Sequence, residues 1–186
     1  ASADESISVN TVDVIRLPSL TMDATAEAFP DSPRFYSASL SWSNRVEFVG
    51  GLNAGQAWLS SSAIRAHSGQ WDKKLNVIPA RGGMAWTRVR WLNRDGYLLA
   101  GGGADSGFLR NMYFYDGISA AAESIGLLPG NGRAFMAAIA TSTHWFLAGG
   151  SEAPYVDSNR VDVFSATNLN GHRLFTMSAV RFWIVT

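Results

Sequence analysis

The chain has 186 residues, of which 47% are hydrophobic and 16% charged, and its formal net charge at pH 7 is zero. Charged residues make up about a quarter of an average globular chain, so this composition predicts an ordered domain with a sizeable core. Neutrality without a basic tail argues against a general nucleic-acid binder and against binding to an acidic membrane surface.

Cysteine is absent, which excludes disulfides, thiolate zinc sites, thiol nucleophiles and cofactors made by cross-linking cysteine. No apolar run is long enough for a membrane span and no N-x-Ser/Thr sequon occurs. The start at Ala1 rather than at methionine leaves room for a missing signal peptide, initiator residue or larger N-terminal part. The sequence therefore leaves the compartment undetermined.

The N-terminal stretch is polar and acidic and then becomes β-branched. Asn10–Ile15 alternates and predicts a strand. Thr21–Phe29 is compatible with a second strand or with a loose helical turn, and Pro30–Pro33 is a strong turn signal.

Three units with the same order of elements follow: strands a and b in a hairpin, two glycines, a loop, and strands c and d, except that strand d of the third unit is predicted to be very short or lost. The predicted strands are Phe35–Leu40, Arg45–Val49, Ala57–Ala66 and Gln70–Ile78, then Met84–Trp91, Tyr97–Ala100, Asn111–Asp116 and Ser119–Leu128, then Ala137–Thr141, Trp145–Ala148 and Asn159–Phe164. Ser119–Leu128 is alanine-rich and locally compatible with a helix, but its register predicts a strand.

A fourth unit is predicted to be shared by the two termini. Gly171–Phe175 resembles Gly132–Phe135 and so begins a new unit, Phe182–Val185 is a strand b without glycines, and Ser2–Val14 aligns with Ser151–Val163. Pairing tail with head would close a ring and remove exposed sheet edges. The predicted units are 34–82, 83–131 and 132–171, with 1–33 and 172–186 forming the shared one.

Glycine pairs follow strand b in each full unit, at Gly50–Gly51, Gly101–Gly102 and Gly149–Gly150. A spacing of about fifty residues indicates a repeat architecture. Paired glycines permit positive φ and a close approach of neighbouring backbones, so we interpret them as architectural.

This arrangement resembles the kelch repeat of β-propellers, including galactose-oxidase-like blades. Trp71 occupies the tryptophan position of the motif, Tyr113–Asp116 matches a strand c ending in aspartate, and Arg34, Arg133 and Arg173 match the arginine that often opens strand a. The resemblance covers essentially the whole chain, although the tryptophan position is filled once and the fourth unit lacks its glycines.

The resemblance implies an all-β propeller of four-stranded antiparallel blades, with three full units and one split between the termini. Kelch-type rings usually have six or seven blades, so the chain is either a small four-bladed ring or part of a larger propeller. We favour the larger propeller, completed by more chain or by another copy in a homo-oligomer.

Catalytic signatures are missing from the sequence. His67, His144 and His172 lack metal-ligand spacing, and no G-x-S-x-G elbow occurs. Gly101–Gly107 lacks the Lys-Ser/Thr of a phosphate-binding loop and precedes a strand. We therefore predict no catalytic residue, metal or cofactor.

Carboxylates in equivalent b–c loops are a candidate constellation, since Asp105, Glu152 and Asp157 would gather on one face of a ring. Acid/base chemistry needs two such groups in different environments, whereas solvated loop charge is the commoner outcome. Whether they converge is left open by the sequence.

Arginines at the start of strand a would lie around one mouth of the channel, where a planar guanidinium can grip a carboxylate bidentately. The alternative is that they pair with neighbouring carboxylates or with the backbone. The complete set of predicted binding residues is Arg34, Asn53, Asp105, Arg110, Arg133, Glu152, Tyr155, Asp157 and Arg173.

Repeated blades without a catalytic signature favour a non-enzymatic module whose b–c and d–a loops bind a protein partner. The alternative is a carbohydrate-binding protein or a sugar-acid epimerase similar to the kelch-type sialic-acid mutarotase. Abundant tryptophan and arginine with loop carboxylates motivate it, because sugars stack on aromatic rings and sugar acids pair with arginine. Copper-radical oxidases of the wider family are excluded because their cofactor needs a cysteine.

Overall fold

The computed structural model describes residues 11–12, 15–16, 21–22, 27–30, 33–153, 156–169 and 172–178. Within these ranges the regular secondary structure consists of β-strands. The same ranges contain no helix that is long and apolar enough to cross a membrane. The strands are β1 (Thr11–Val12), β2 (Ile15–Arg16), β3 (Thr21–Met22), β4 (Glu27–Ala28), β5 (Arg34–Phe35), β6 (Ala38–Ser41), β7 (Arg45–Val49), β8 (Leu52–Asn53), β9 (Ser62–Ala66), β10 (Trp71–Lys74), β11 (Ala85–Trp91), β12 (Arg94–Ala100), β13 (Gly103–Ala104), β14 (Gly107–Phe108), β15 (Asn111–Tyr115), β16 (Glu123–Leu127), β17 (Ala137–Ala140), β18 (His144–Ala148), β19 (Ser151–Ala153), β20 (Val156–Asp157), β21 (Arg160–Ser165) and β22 (Arg173–Thr176).

Three four-stranded antiparallel sheets follow one another along the chain, and each is a continuous meander. Sheet I contains β6, β7, β9 and β10, sheet II contains β11, β12, β15 and β16, and sheet III contains β17, β18, β21 and β22. The small two-stranded pairings are β1 with β4, β2 with β3, β5 with β8, β13 with β14 and β19 with β20. The all-β prediction is confirmed in this form.

Sheet pairing makes only the second half of the predicted strand Ser119–Leu128 a strand: β16 covers Glu123–Leu127, whereas residues 119–122, which hold the three alanines, lie outside it. β16 pairs with β15, with Asn111 opposite Leu127 and a register shift between Met112 and Tyr113. The neighbouring strand supplies the hydrogen-bond partners that an isolated helix would supply internally, so sheet context overrides the local helix propensity.

One strand lies in a different sheet from the one predicted. β22 is the fourth strand of sheet III, where Val163 pairs with Arg173 and Val161 with Phe175. The interpretation of Arg173 as the opening of a fourth unit is therefore wrong. The local likeness of Gly171–Phe175 to Gly132–Phe135 is outweighed by the pairing edge that β21 offers.

Near the N-terminus, the predicted strand Asn10–Ile15 contains β1 and the first residue of β2. Thr21–Phe29 contains the two short strands β3 and β4 instead of a helical turn. The predicted strand Phe182–Val185, and with it the ring closure, falls outside the described residues.

Two hydrophobic clusters join the three sheets. Between sheets I and II lie residues that include Leu40, Val49, Leu99 and Tyr115. Between sheets II and III lie, among others, Leu98, Met112, Phe114, Trp145, Leu147 and Phe164. Sheet II therefore packs on both of its faces, because residues that alternate along β12 point to opposite sides.

The glycine pairs adopt the left-handed backbone region that the sequence predicts for them. Gly101 has a φ of +66° and Gly102 of +100°, and the pairs at Gly50–Gly51 and Gly149–Gly150 are also positive. A Cβ on Gly101 would lie 2.2 Å from the carbonyl oxygen of Arg133, and the Gly102 N–H donates to that oxygen at 2.8 Å. The pair thus lets the segment before sheet III cross the end of sheet II.

We predict that Gly101→Ala lowers the free energy of unfolding by about 3 kcal/mol, because it combines an unfavourable φ with a backbone clash. Gly107→Ala is the matched control, since Gly107 has a φ of +102° but nothing within 4 Å of an added Cβ. That variant should lose about 1 kcal/mol. Urea denaturation followed by circular dichroism measures both, and equal losses would contradict the close-approach argument.

Candidate functional site

The loops that follow the glycine pairs lie at one end of the sheets, which we call the loop end (residues 50–61, 101–110 and 149–159, with the lead-in segments 33–37, 79–84 and 129–136). In sheet II this loop contains the β13–β14 pairing, and in sheet III the β19–β20 pairing. In sheet I, β8 pairs instead with the lead-in strand β5. The same topology therefore brings three loops to one end of the molecule.

Backbone hydrogen bonds tie each loop to the lead-in segment of its own sheet. Gly82 and Gly103 exchange two bonds, of 3.1 and 2.8 Å, and Ala134 and Ser151 exchange two of 3.0 and 2.9 Å. The Gly51 N–H also donates to the carbonyl oxygen of Arg81, which belongs to the next sheet, at 2.7 Å. The loop end is thus a linked surface, and only the loop tips are free of this network.

The predicted loop carboxylates occupy different surroundings. Asp105 and Asp157 are exposed, whereas Glu152 is half-buried. Glu152 accepts hydrogen bonds from Asn131 Nδ2 at 3.1 Å and from Ser158 Oγ at 2.9 Å. Burial alone would raise the pKa of Glu152, but these bonds and the nearby Arg160 hold it below its usual value. Glu152 is therefore an ionised structural group, and Asp105 and Asp157 are solvated.

Two other predicted residues support loop backbone. The side-chain oxygen of Asn53 accepts from the Ala57 N–H at 2.8 Å, and Arg110 Nε donates to the carbonyl oxygen of Leu128 at 2.8 Å. Both contacts are structural. Tyr155, also predicted to bind, falls outside the described residues.

Arginines before the first strand of each sheet form a repeated contact with the first glycine of the pair. Arg34 donates to the Gly50 carbonyl at 3.1 Å, Arg81 to that of Gly101 at 3.2 Å, and Arg133 to that of Gly149 at 3.3 Å. Arg81 and Arg133 are buried. These contacts match the alternative that the sequence left open, in which the arginines pair with the backbone instead of with a ligand.

Arg81 was missed by the sequence reasoning, although a signal for it exists. Each of the three arginines stands four residues before an alanine that opens a strand, at Ala38, Ala85 and Ala137. Arg173 does not share this spacing and is exposed on β22. The correct repeated set is thus Arg34, Arg81 and Arg133.

Arg133 is also part of a buried ion pair. It contacts Asp162, and both side chains are fully buried. Burial and the neighbouring Arg160 lower the pKa of Arg133 to about 10, against the opposing effect of Glu152, so it stays charged at neutral pH.

His172 contacts the same carboxylate, with Nε2 2.7 Å from Asp162 Oδ1. Burial, Arg160 and Arg133 lower the pKa of His172 below its usual value, so it is neutral at pH 7. Asp162 is thereby paired to two charged partners, Arg133 and Arg160, whose Nη2 lies 3.5 Å from Oδ1, and hydrogen-bonded to a neutral histidine. The cluster is a structural unit of sheet III.

The loop end exposes polar and acidic side chains at its tips. Among the described residues no group of three His, Asp or Glu side chains is placed to hold a metal ion. The exposed side chains at the loop end include Gln56, Asp105, Ser106, Asn131, Val156 and Asp157. They combine negative charge, hydrogen-bonding groups and apolar contacts.

We predict that Asp162→Asn lowers the free energy of unfolding by about 3 kcal/mol or more, because it leaves the charge of Arg133 buried and uncompensated. Arg173→Gln is the control, since it removes an exposed charge from the neighbouring strand and should change stability by less than about 0.5 kcal/mol. Urea denaturation measures both. A small effect of Asp162→Asn would show that the pair does not stabilise sheet III.

Comparison with known proteins shows the fold. No protein-family model and no curated protein matches the sequence. Among solved structures, the structure of YjhT is similar, with a TM-score of 0.75 over 93% of this chain and 15% sequence identity. The chain spans 61% of the YjhT chain. At this identity the likeness establishes a shared fold.

Proposed function

We propose that the chain is a segment of a kelch-like β-propeller and that its loop end binds a protein partner. The observation that carries the proposal is the convergence of three loops on one end, where backbone hydrogen bonds fix their bases and leave the tips exposed. A rigid scaffold that displays short variable tips is a common arrangement for recognition.

Repetition of the same packing supports the propeller. Val49 and Ala100 are the residues before the glycine pairs of sheets I and II. In each of these sheets, the face that carries this residue packs on the following sheet. The equivalent face of sheet III carries Phe146 and Val161, and Ile139 and Phe175 on it are 63% and 53% exposed. Such a face fits a further sheet, in keeping with a larger ring.

A binding role is favoured over the carbohydrate-active alternative at this end. A sugar acid would need a free guanidinium, whereas Arg81 and Arg133 are buried against glycine carbonyls and, for Arg133, against Asp162. The exposed Arg110 donates its Nε to the Leu128 carbonyl. Glu152 is held by Asn131 and Ser158. The exposed tips then remain as the recognition surface, with Asp105 and Asp157 as its acidic groups.

A photo-crosslinking experiment tests this function. A benzoylphenylalanine placed at position 105 should capture a discrete protein partner from native extract, and the same residue placed at Leu92, in the turn at the opposite end, should not capture that protein. In the double variant Asp105→Lys/Asp157→Lys, a crosslinker placed at position 106 should yield at least tenfold less adduct, because both exposed carboxylates are reversed.

Asp95→Lys is the charge-matched control, since Asp95 is exposed near that opposite turn. It should leave the crosslink from position 106 unchanged. Equal capture from positions 105 and 92, or an equal loss with Asp95→Lys, would contradict binding through the loop end.

A further inference from the structure

Sheet I departs from the repeat at the positions that face sheet II. The residue three positions before the first glycine of each pair is Glu47 in sheet I, Leu98 in sheet II and Phe146 in sheet III. On the third and fourth strands, the equivalent residues are Ser62 and Lys74 in sheet I, Met112 and Gly126 in sheet II, and Val161 and Phe175 in sheet III. A buried carboxylate, a hydroxyl and a lysine thus replace residues without charge or hydroxyl groups.

These replacements form a connected polar cluster. Glu47 is fully buried, and its Oε1 accepts from Ser62 Oγ at 2.6 Å and from the Tyr115 hydroxyl at 2.8 Å. Lys74 Nζ donates to the Tyr115 hydroxyl at 3.1 Å and to the Gly117 carbonyl at 2.8 Å. Arg45 Nη2 donates to the same carbonyl at 2.7 Å.

The cluster is incompletely satisfied as it stands. Glu47 Oε2 and Arg45 Nε lie 3.9 Å apart, and neither atom has a hydrogen-bond partner. Buried charge without full hydrogen bonding is destabilising, and the equivalent residues of sheets II and III show that the fold does not require it. Polar residues that break an otherwise consistent pattern are typical of functional sites.

A groove of about 520 Å³ opens beside this cluster, at the end of the sheets opposite to the loop end. One side of the groove is formed at β10 by Gln70, Asp72 and Lys74. The other side is formed by Arg45 and Gly117. Arg45 and Lys74 both reach the Gly117 carbonyl, so the two cations lie close together, and Asp72 is the one carboxylate among the lining residues. The fully buried Glu47, 3.9 Å from Arg45 Nε, balances part of this charge. The feature that favours an anionic group is therefore the pair of charged donors on the groove wall, and not an excess of positive charge.

An ordered loop borders the groove and displays an apolar side chain. The Asp116 carboxylate accepts from the backbone N–H groups of Ile118 and Ser119 at 2.9 and 2.8 Å, and it lies 3.6 Å from Arg94 Nη1. Ile118 is 88% exposed and adjacent in sequence to Gly117. A cationic groove and a fixed apolar contact are thus neighbours.

We propose that this groove binds an acidic peptide segment of a protein. A carboxylate of the peptide binds between Arg45 and Lys74, and a neighbouring apolar side chain contacts Ile118. Paired charge-assisted hydrogen bonds favour a carboxylate, and the exposed isoleucine favours a peptide over a small free acid. The groove is separate from the loop end, so this proposal and the proposed function of the loop end are tested independently.

The two lysines of the chain provide a direct test on the unmodified protein, since Lys73 and Lys74 are neighbours that point to opposite faces of β10. The probe is an acetylated, amidated peptide of alternating glutamate and leucine, with its glutamine counterpart as control. Amine acetylation read by fragmentation mass spectrometry should slow at least fivefold at Lys74 and less than twofold at Lys73. Equal protection of both lysines, or protection by the glutamine peptide, would overturn the proposal.

Variants then separate a peptide site from a small-acid site, with affinity measured by fluorescence anisotropy of the labelled glutamate peptide. Lys74→Gln should weaken binding at least tenfold and Lys73→Gln less than twofold, whereas Asp72→Asn should tighten it at least twofold. Ile118→Ser should weaken peptide binding at least threefold without changing competition by acetate. If Ile118→Ser has no effect and acetate alone protects Lys74, the groove takes small carboxylates and the peptide proposal is wrong.

Discussion

The contact between a lead-in arginine and a glycine carbonyl determines how consecutive strands and loops are arranged at the loop end. Arg81 reaches the Gly101 carbonyl only because the glycine pair keeps positive φ values, which turn the chain away from β12 and toward the next loop. The guanidinium satisfies a carbonyl that would otherwise be buried without a partner. The arginine and the glycine pair therefore act together, and neither of them alone accounts for the backbone path at the loop end.

Sheet II shows how two different kinds of packing coexist in one molecule. Toward sheet III it presents Leu98, Met112 and Phe114, which fill space by shape. Toward sheet I it presents Tyr97, Tyr113 and Tyr115, and each hydroxyl has a partner: Ser41 at 2.6 Å, Arg81 at 3.3 Å and Glu47 at 2.8 Å. The first interface depends on volume and the second on directional hydrogen bonds.

Local features of the sequence were enough to predict most strands of the three sheets, although the predicted strands Ala57–Ala66 and Gln70–Ile78 are longer than β9 and β10. Arg45–Val49 coincides with β7, and the glycine pairs take the backbone conformation expected of them. These features depend on side-chain alternation and on φ, both of which are local. Arg173 was misplaced because its strand partner lies on β21, and pairing across strands is not visible in a local motif.

The candidate sites were harder to predict because they depend on which face of a strand is buried. Glu47 sits among alternating residues of β7 and looks like an ordinary solvent-facing carboxylate until the register with Ile64 places it against sheet II. Its partner Tyr115 comes from another sheet, 68 residues away. The net charge of zero gives no sign of this cluster, because charges of both signs cancel in the composition while they are separated in the structure.

The interface between sheets I and II depends on hydrogen bonds to its tyrosine hydroxyls. Since Lys74 and Tyr115 share a hydrogen bond, a ligand that draws Lys74 toward the groove must also disturb the partner of Glu47. Binding in the proposed groove would therefore be energetically coupled to the packing of sheets I and II, whereas the cluster between sheets II and III, which includes Leu98, Met112 and Phe114, contains no such hydrogen-bonded chain among the described residues.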